Sequence, residues 1–238
     1  ALAVTTKGDA TSVSLMGGTT QAITDSATTD TLTSVSSYTS SGALTVASDA
    51  LTSLTLDTTG QNATVTAAAG TRALTVNVDG VTAGTVTDAT ATTLTVNGSG
   101  ANSSLTAISA AAATSVTFTG DKTIASAGET FTAATAITST NSSGVTLGTA
   151  IGTAVTYNGT DSAGVDTITL GASTVATTTG AGDDVVTIGV AALGTGGSVD
   201  AGAGTGDTLV MSAANAATAT ASTTASALLA GQVSGFEK

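Results

Sequence analysis

A single pattern repeats along most of this chain: three to five residues in which aliphatic side chains alternate with threonine, closed on each side by Gly, Asn, Asp or Ser. It appears at Ala43–Val46, Leu54–Leu56, Ala63–Val65, Leu74–Val78, Gly84–Val86 and Leu94–Val96, and again from Ser115–Phe118 through Thr208–Met211. Alternation with a period of two puts the aliphatic residues on one face of a strand and threonine on the other, the mark of a half-buried strand. Threonine suits the outer face because its β-branch favours the pleated backbone while its hydroxyl tolerates water. Strand starts near residues 44, 54, 64, 74, 85 and 94 fall about ten residues apart. A short strand and a tight turn at near-constant spacing, two per coil of roughly twenty residues, predicts an all-β, right-handed parallel β-solenoid. A β-sandwich also spaces its strands in this way and is the alternative. The scarcity of large side chains favours the solenoid, since a thin coil is filled by Ala, Val, Leu and Ile, and only 2% of this chain is aromatic.

Composition narrows the chemistry. The 238 residues include no His, Cys, Pro or Trp, so thiol and imidazole chemistry, the usual zinc ligand sets and a Ser-His-Asp triad are excluded. Lys7, Arg72, Lys122 and Lys238 are dispersed, which predicts no nucleic-acid partner. No apolar run approaches the length of a membrane span, and the start Ala1–Val4 lacks a charged leader with a long apolar core. The chain carries 16 acids and 4 bases, a net charge of −12. The bulk of Thr, Ser, Gly and Ala resembles a disordered linker, but a 41% hydrophobic content placed with strand periodicity argues for a folded chain. The acids sit mainly in turns and no pair is placed for general acid–base work, so no catalytic activity is expected.

One region is more specific. Ala163–Gly171 (Ala-Gly-Val-Asp-Thr-Ile-Thr-Leu-Gly) aligns without a gap with Ala181–Gly189 (Ala-Gly-Asp-Asp-Val-Val-Thr-Ile-Gly). Gly, Asp, the aliphatic positions and the closing Gly coincide. Gly204–Met211 repeats the Asp-led strand start, with Asp207 further from Asp184 along the chain than Asp184 is from Asp166.

Gly180–Thr187 resembles the nonapeptide G-G-x-G-x-D-x-U-x of RTX-type calcium β-rolls, with Thr179 in the place of the first glycine. The resemblance implies an RTX-like calcium β-roll in which glycines turn carbonyl oxygens inward and each Asp offers a short carboxylate, so that loops one coil apart hold Ca²⁺ by oxygen ligands alone. On that resemblance Asp166 and Asp184 bracket one ion, with carbonyls near Gly164, Gly180 and Gly182. Asp184 and Asp207 bracket a second, with carbonyls near Gly202 and Gly204. Asp161, Asp183 and Asp200 are either further ligands or exposed turn carboxylates.

The Thr/Ala/Gly-rich strand repeats followed by this segment also resemble surface-layer proteins and large secreted repeat proteins of Gram-negative bacteria such as Caulobacter, as does the tail Gly204–Ser212 and Val233–Lys238. In those proteins a Gly-Phe-Glu segment runs on into another strand, so Gly235–Glu237 implies a piece of a longer chain. The expected organisation is an N-terminal irregular β segment or cap (1–42), a Thr/Ala-rich solenoid (43–158), the calcium roll (159–211) and a C-terminal segment (212–238) with a short helix at Ser226–Ala230. The implied function is structural: a calcium-stabilised, self-assembling part of a bacterial surface layer or similar secreted coat, extracellular, with copies of itself as lattice neighbours and cell-surface polysaccharide met through another part of the parent protein. The alternative is an extender or ligand-binding domain of a calcium-dependent adhesin. Two further signals carry less. Five Asn-x-Ser/Thr matches, such as Asn62 and Asn158, are expected by chance in so Ser/Thr-rich a chain. Thr-x-Thr pairs at Thr64/Thr66, Thr85/Thr87, Thr93/Thr95, Thr117/Thr119 and Thr167/Thr169 would make an ice-binding face only if stacked in register, and their interrupted spacing predicts that they are not.

Overall fold

A computed structural model describes residues 1–237. The strands form three sheets, A, B and C, of seven, eleven and six strands, whose pairs are parallel and join positions one coil apart. This is a β-solenoid, and the parallel pairing excludes the sandwich. Coil length varies: the coil from Thr167 to its partner Val185 is shorter than the next, from Val185 to Thr208. The last coil, from Val199 to Val233, is much longer because it carries both helices.

The cross-section changes along the axis. From Leu2–Thr6 to Thr93–Gly98 the chain alternates between sheets A and B, two strands per coil. Sheet C begins at Ser103–Leu105, and the coils there have three sides. Sheet A ends with the short strand Glu129–Thr130, after which the coils are two-sided again, now between B and C. Residues 1–42 contribute four regular strands to sheets A and B.

Because coils stack in register, the inward residues form columns. One runs Val35, Leu54, Val76, Val96 and Phe118, all buried. The next residue in it is Ser139, where the coil narrows. A second column runs Val116, Ile137, Tyr157, Thr177 and Val199. Along these two columns the inward residues are apolar as far as Phe118 and Ile137 and partly polar beyond residue 138, while elsewhere in the first part of the chain Gln21, Ser37, Ser40 and Gln61 are buried and hydrogen-bonded to one another.

On the outer face of sheet B the Thr pairs are offset from coil to coil: Thr95 lies beside Thr117, and Thr119 beside Asn97. Ser and Asn fill the gaps, so the columns are nonetheless continuous: Ser53, Thr75, Thr95, Thr117, Thr138, Asn158 and Thr178 make one row. The Thr pairs are therefore out of register, as their spacing predicts, and the rows are completed by Ser and Asn. Side-chain hydrogen bonds climb the neighbouring row, from Asn97 Nδ2 to Asn77 Oδ1 (3.1 Å) and from Thr119 Oγ1 to Asn97 Oδ1 (3.1 Å).

After the last strand of sheet C come helices α1 (Ala213–Ala219) and α2 (Thr223–Ala230), so the short helix expected at Ser226–Ala230 is the C-terminal part of α2. Ser212 and Ser222 cap them, their hydroxyls accepting from the amides of Asn215 and Ala225. Neither helix is long and apolar enough to cross a membrane.

Arg72 is buried at one edge of the two-sided section, donating to the Asp88 carboxylate and to the Leu51 carbonyl. Asp88 also accepts from the amides of Thr90 and Ala91, both 2.9 Å. Removing one partner strands a desolvated charge. Asp88→Ala is expected to lower the unfolding free energy by about 3–5 kcal/mol, read by urea denaturation; a loss within that of an exposed substitution would show that the pair is not held out of water.

Candidate metal centre

The turns between sheets B and C hold the predicted site residues. Thr167 pairs with Val185 and Val185 with Thr208, so Asp166, Asp184 and Asp207, one position earlier, stack on successive coils. All three are fully buried. The longer interval between Asp184 and Asp207 does not disturb this stacking. The turn from Ile188 to Ser198 is longer than the equivalent turn from Leu170 to Ala176, so most of the extra length lies at the opposite edge.

The carboxylates are joined by a ladder of backbone amides. Asp166 Oδ1 accepts from the Val145 amide (2.9 Å), Asp184 Oδ1 from the Asp166 amide (2.7 Å), and Asp207 Oδ1 from the Asp184 amide (2.7 Å). The ladder ends at Glu237, whose Oε2 accepts from the Asp207 amide (2.9 Å). Sequence reasoning missed Glu237 as a ladder member. Its signal was the Gly-Phe-Glu tail itself, a further glycine-then-acid pair hidden by the helical insertion. One coil before the ladder, Asn141 closes the corresponding turn with a neutral side chain, its Oδ1 accepting from the amides of Ser143 (2.8 Å) and Gly144 (2.9 Å).

The second carboxylate oxygens divide the three aspartates. Asp166 Oδ2 is satisfied by the buried Tyr157 hydroxyl at 2.7 Å. Asp184 Oδ2 and Asp207 Oδ2 are buried and have no partner. Thr179 does not supply one, since its hydroxyl donates to the Ala201 carbonyl at 2.9 Å. An unpartnered buried carboxylate oxygen is costly, and it marks a place for a cation or an ordered water.

The glycines make the cradle. Gly180, Gly182 and Gly202 have φ of 106°, 122° and 89°, the left-handed region that glycine alone enters without strain. A Cβ on Gly180 would collide with the Gly159 carbonyl, and one on Gly202 with the Gly180 carbonyl. On the inner side Gly164, Gly182 and Gly204 stack, and a Cβ on Gly204 would sit 2.6 Å from Asp207 Oδ2. The glycine turns of successive coils therefore stack with no room for a side chain between them, and the Gly180 carbonyl accepts from the Ala203 amide at 2.7 Å. Asp161 and Asp183 are exposed in the turns and Asp200 is exposed at the end of the strand Ser198–Asp200; Asp183 Oδ1 accepts from the Thr205 amide and Asp200 Oδ1 from the Gly202 amide.

The residues fit a hard, oxygen-seeking cation at Asp184 and Asp207 better than at Asp166, whose oxygens are already used. Among the described residues no three acidic side chains converge on one point, so carbonyls and water would have to complete the coordination. The sequence matches no known protein family and no curated relative.

Burial pushes the Asp166 carboxyl up to about 6, against the hydrogen bond from Tyr157, and the neighbouring Asp184 charge adds to the rise. Asp184 is raised by burial and by the charges of Asp207 and Asp183, while the Asp166 amide opposes. The Tyr157 hydroxyl is pushed well above its usual range by burial and by Asp166. A carboxyl whose pKa is higher folded than unfolded favours folding when protonated. Its contribution is complete below the unfolded value near 4 and is lost as pH rises through about 6. Asp25 has the opposite sign: the amides of Leu32, Thr31 and Ala27 lower its pKa against the cost of burial, so its contribution is lost on acidification. In EGTA the melting temperature is expected to fall between about pH 4 and pH 7, with Asp166 contributing up to about 3 kcal/mol. Asp166→Asn should flatten that slope, and a wild-type melting temperature that rises over this range would contradict the burial of these acids.

Proposed function

We propose that this chain is a structural segment of a secreted bacterial coat, of the surface-layer kind, whose two-sided C-terminal coils are tied together by Ca²⁺ and whose outer faces associate with copies of itself. The observation that carries the reading is the buried ladder of Asp166, Asp184 and Asp207, with unpartnered oxygens on the last two. When bound, calcium would supply the positive charge that a column of like charges lacks. Asp184 and Asp207 would hold it through Oδ2 while Oδ1 stays on the amide ladder. The glycine carbonyls nearby would provide further oxygens, and Tyr157 would close the column at its upstream end.

The mechanism follows from where calcium is abundant. Extracellular sites with affinities of about 10⁻⁴–10⁻³ M are empty in the cytosol and fill outside. At a free calcium ten times Kd, each site adds roughly 1.4 kcal/mol to folding. The coat therefore becomes rigid after export. With a net charge of −12, calcium also lowers the repulsion between neighbouring copies. Catalysis forms no part of the proposal: the turn carboxylates serve coordination, and Arg72 is committed to Asp88.

A second reading, a module of a calcium-dependent adhesin, draws on the continuous Ser/Thr/Asn rows of sheet B. Strands about 4.8 Å apart with outward side chains about 6.7 Å apart along each strand give a regular array of hydroxyls and amides suited to a repeating surface such as ice. Assembly separates the two readings. Sheets or ordered oligomers in millimolar calcium support the coat; a monomer that slows ice growth supports the adhesin.

The calcium claim has its own test in circular dichroism and thermal melting with calcium and with EGTA. The wild type is expected to melt higher in calcium. Asp184→Asn and Asp207→Asn keep the Oδ1 acceptor and remove a buried charge, so in EGTA at pH 7 each is expected to melt at or above the wild type while losing most of the calcium response. A wild-type melting curve indifferent to EGTA would mean that these are ordinary Gly/Asp turns.

A further inference from the structure

Successive coils are not joined equally. In the three-sided section Thr93–Gly98 pairs along its whole length with Ser115–Gly120, and Ala107–Ser109 and Ser103–Leu105 add ladders in sheets A and C. The junction between the coil that ends at Leu147 and the one that begins at Thr156 is different. Sheet A has stopped at Glu129–Thr130. Sheet B pairs over three residues, Ala136–Thr138 with Thr156–Asn158, and sheet C at Thr146 and Thr167 alone. Every other pair of neighbouring strands spans two residues or more.

The interior is open at the same level. After Leu147 the chain crosses to sheet B, and a bridge from Ile151 to Leu170 draws the crossing segment to the downstream coil rather than over the end of sheet A. A cavity of about 320 Å³ remains, lined chiefly by Phe131, Ile137, Leu147, Ile151 and Val155. Side chains that face a gap lack dispersion partners on that side. Beyond the short ladder in sheet B, side chains tie the two sides together. The Val145 amide donates to Asp166 Oδ1 and the Ser162 hydroxyl to the Asn141 carbonyl, both at 2.9 Å. The Thr149 amide donates to Glu129 Oε2 at 2.7 Å, which straps the start of the crossing segment to the last strand of sheet A.

We propose that this junction is a built-in break point, at which the chain from Gly148 onward opens as one cooperative unit while the coils before it stay folded. The stability of a solenoid is a sum of coil terms and nearest-neighbour interfaces, so the array divides where an interface is weakest. The downstream coils also carry two buried carboxylate oxygens without a partner, on Asp184 and Asp207, a cost that the upstream coils do not bear in charged form. Opening frees the strand edges of Ala136–Ser139 and Val145–Leu147 and uncovers Ile137 and Leu147, a template for a strand from another chain. Any ligand or neighbour that binds only the closed coils sets the state of this half without disturbing the aliphatic coils upstream. The inference rests on the ladder and the cavity and needs neither calcium nor the coat.

The experiment is hydrogen exchange of the full chain, read by mass spectrometry at neutral pH in EGTA over a series of low urea concentrations. Strand amides within 156–211 are expected to exchange together, with protection about tenfold or more below that of 74–120. Glu129→Ala removes the acceptor of the Thr149 amide, and it is expected to speed exchange in 156–211 about tenfold while leaving 74–98 unchanged. Asp88→Ala, which acts in the upstream coils, is expected to leave the exchange of 156–211 as it is. Protection that is equal in the two sections within about threefold would show one cooperative unit and overturn the proposal. So would a step in protection at another junction, such as between the coils of Asp184 and Asp207, and so would a Glu129→Ala variant that speeds both sections alike. Should Glu129→Ala fail to fold, the wild-type profile decides alone.

Discussion

Parallel, in-register pairing from one coil to the next is the constraint from which the rest follows. A residue in such a ladder has the equivalent residue of the neighbouring coils about 4.8 Å above and below it. Whatever a position carries is therefore multiplied into a column. Aliphatic columns such as Leu54, Val76 and Val96 gain from this, because each side chain completes its neighbour's packing. Columns of charge do not. Asp166, Asp184 and Asp207 are a column of acids out of water, and burial and neighbouring charge raise the proton affinity of Asp166 and Asp184.

The protein meets that cost in two ways. The first is internal: the Oδ1 of Asp184 and of Asp207 takes the amide of the aspartate one coil earlier, so the ladder that creates the repulsion also supplies a donor. The second concerns Oδ2. At Asp166 a tyrosine hydroxyl occupies it, which ends the column with a neutral, protein-made contact. Asp184 and Asp207 have no equivalent of Tyr157, because the stacked positions are Thr177 and Val199. Those side chains are too short to reach or have no donor. The replacement of Tyr by Thr and Val along one column thus accounts for the two open oxygens, and it locates the proposed metal requirement in the last coils rather than throughout the solenoid.

Much of this architecture was legible. The aliphatic–Thr alternation and the regular strand spacing specify strands, coils and inward faces, since both depend only on local period. The stacking of Asp166, Asp184 and Asp207 was legible from the aligned Gly-Asp turns. Other features were not. Tyr157 precedes Asp166 on a different sheet, and only the coil geometry brings its hydroxyl there. Glu237 is separated from Asp207 by two helices that no strand period anticipates. The passage from two to three sides depends on whether a turn becomes a corner, as at Ser103, and so short a strand leaves little trace in sequence. On the outer face of sheet B the offset of the Thr pairs was legible, whereas the rows that Ser and Asn complete between them were not, because only Thr pairs were compared with Thr pairs.

The most direct measurement is equilibrium dialysis of the folded chain against radioactive calcium at neutral pH. This account requires saturable uptake in the range of about 10⁻⁴–10⁻³ M that disappears when Asn replaces aspartate at both 184 and 207 and persists when it replaces Asp161 and Asp200 instead. A folded wild-type chain that stays empty at saturating calcium would show that the open oxygens serve water alone.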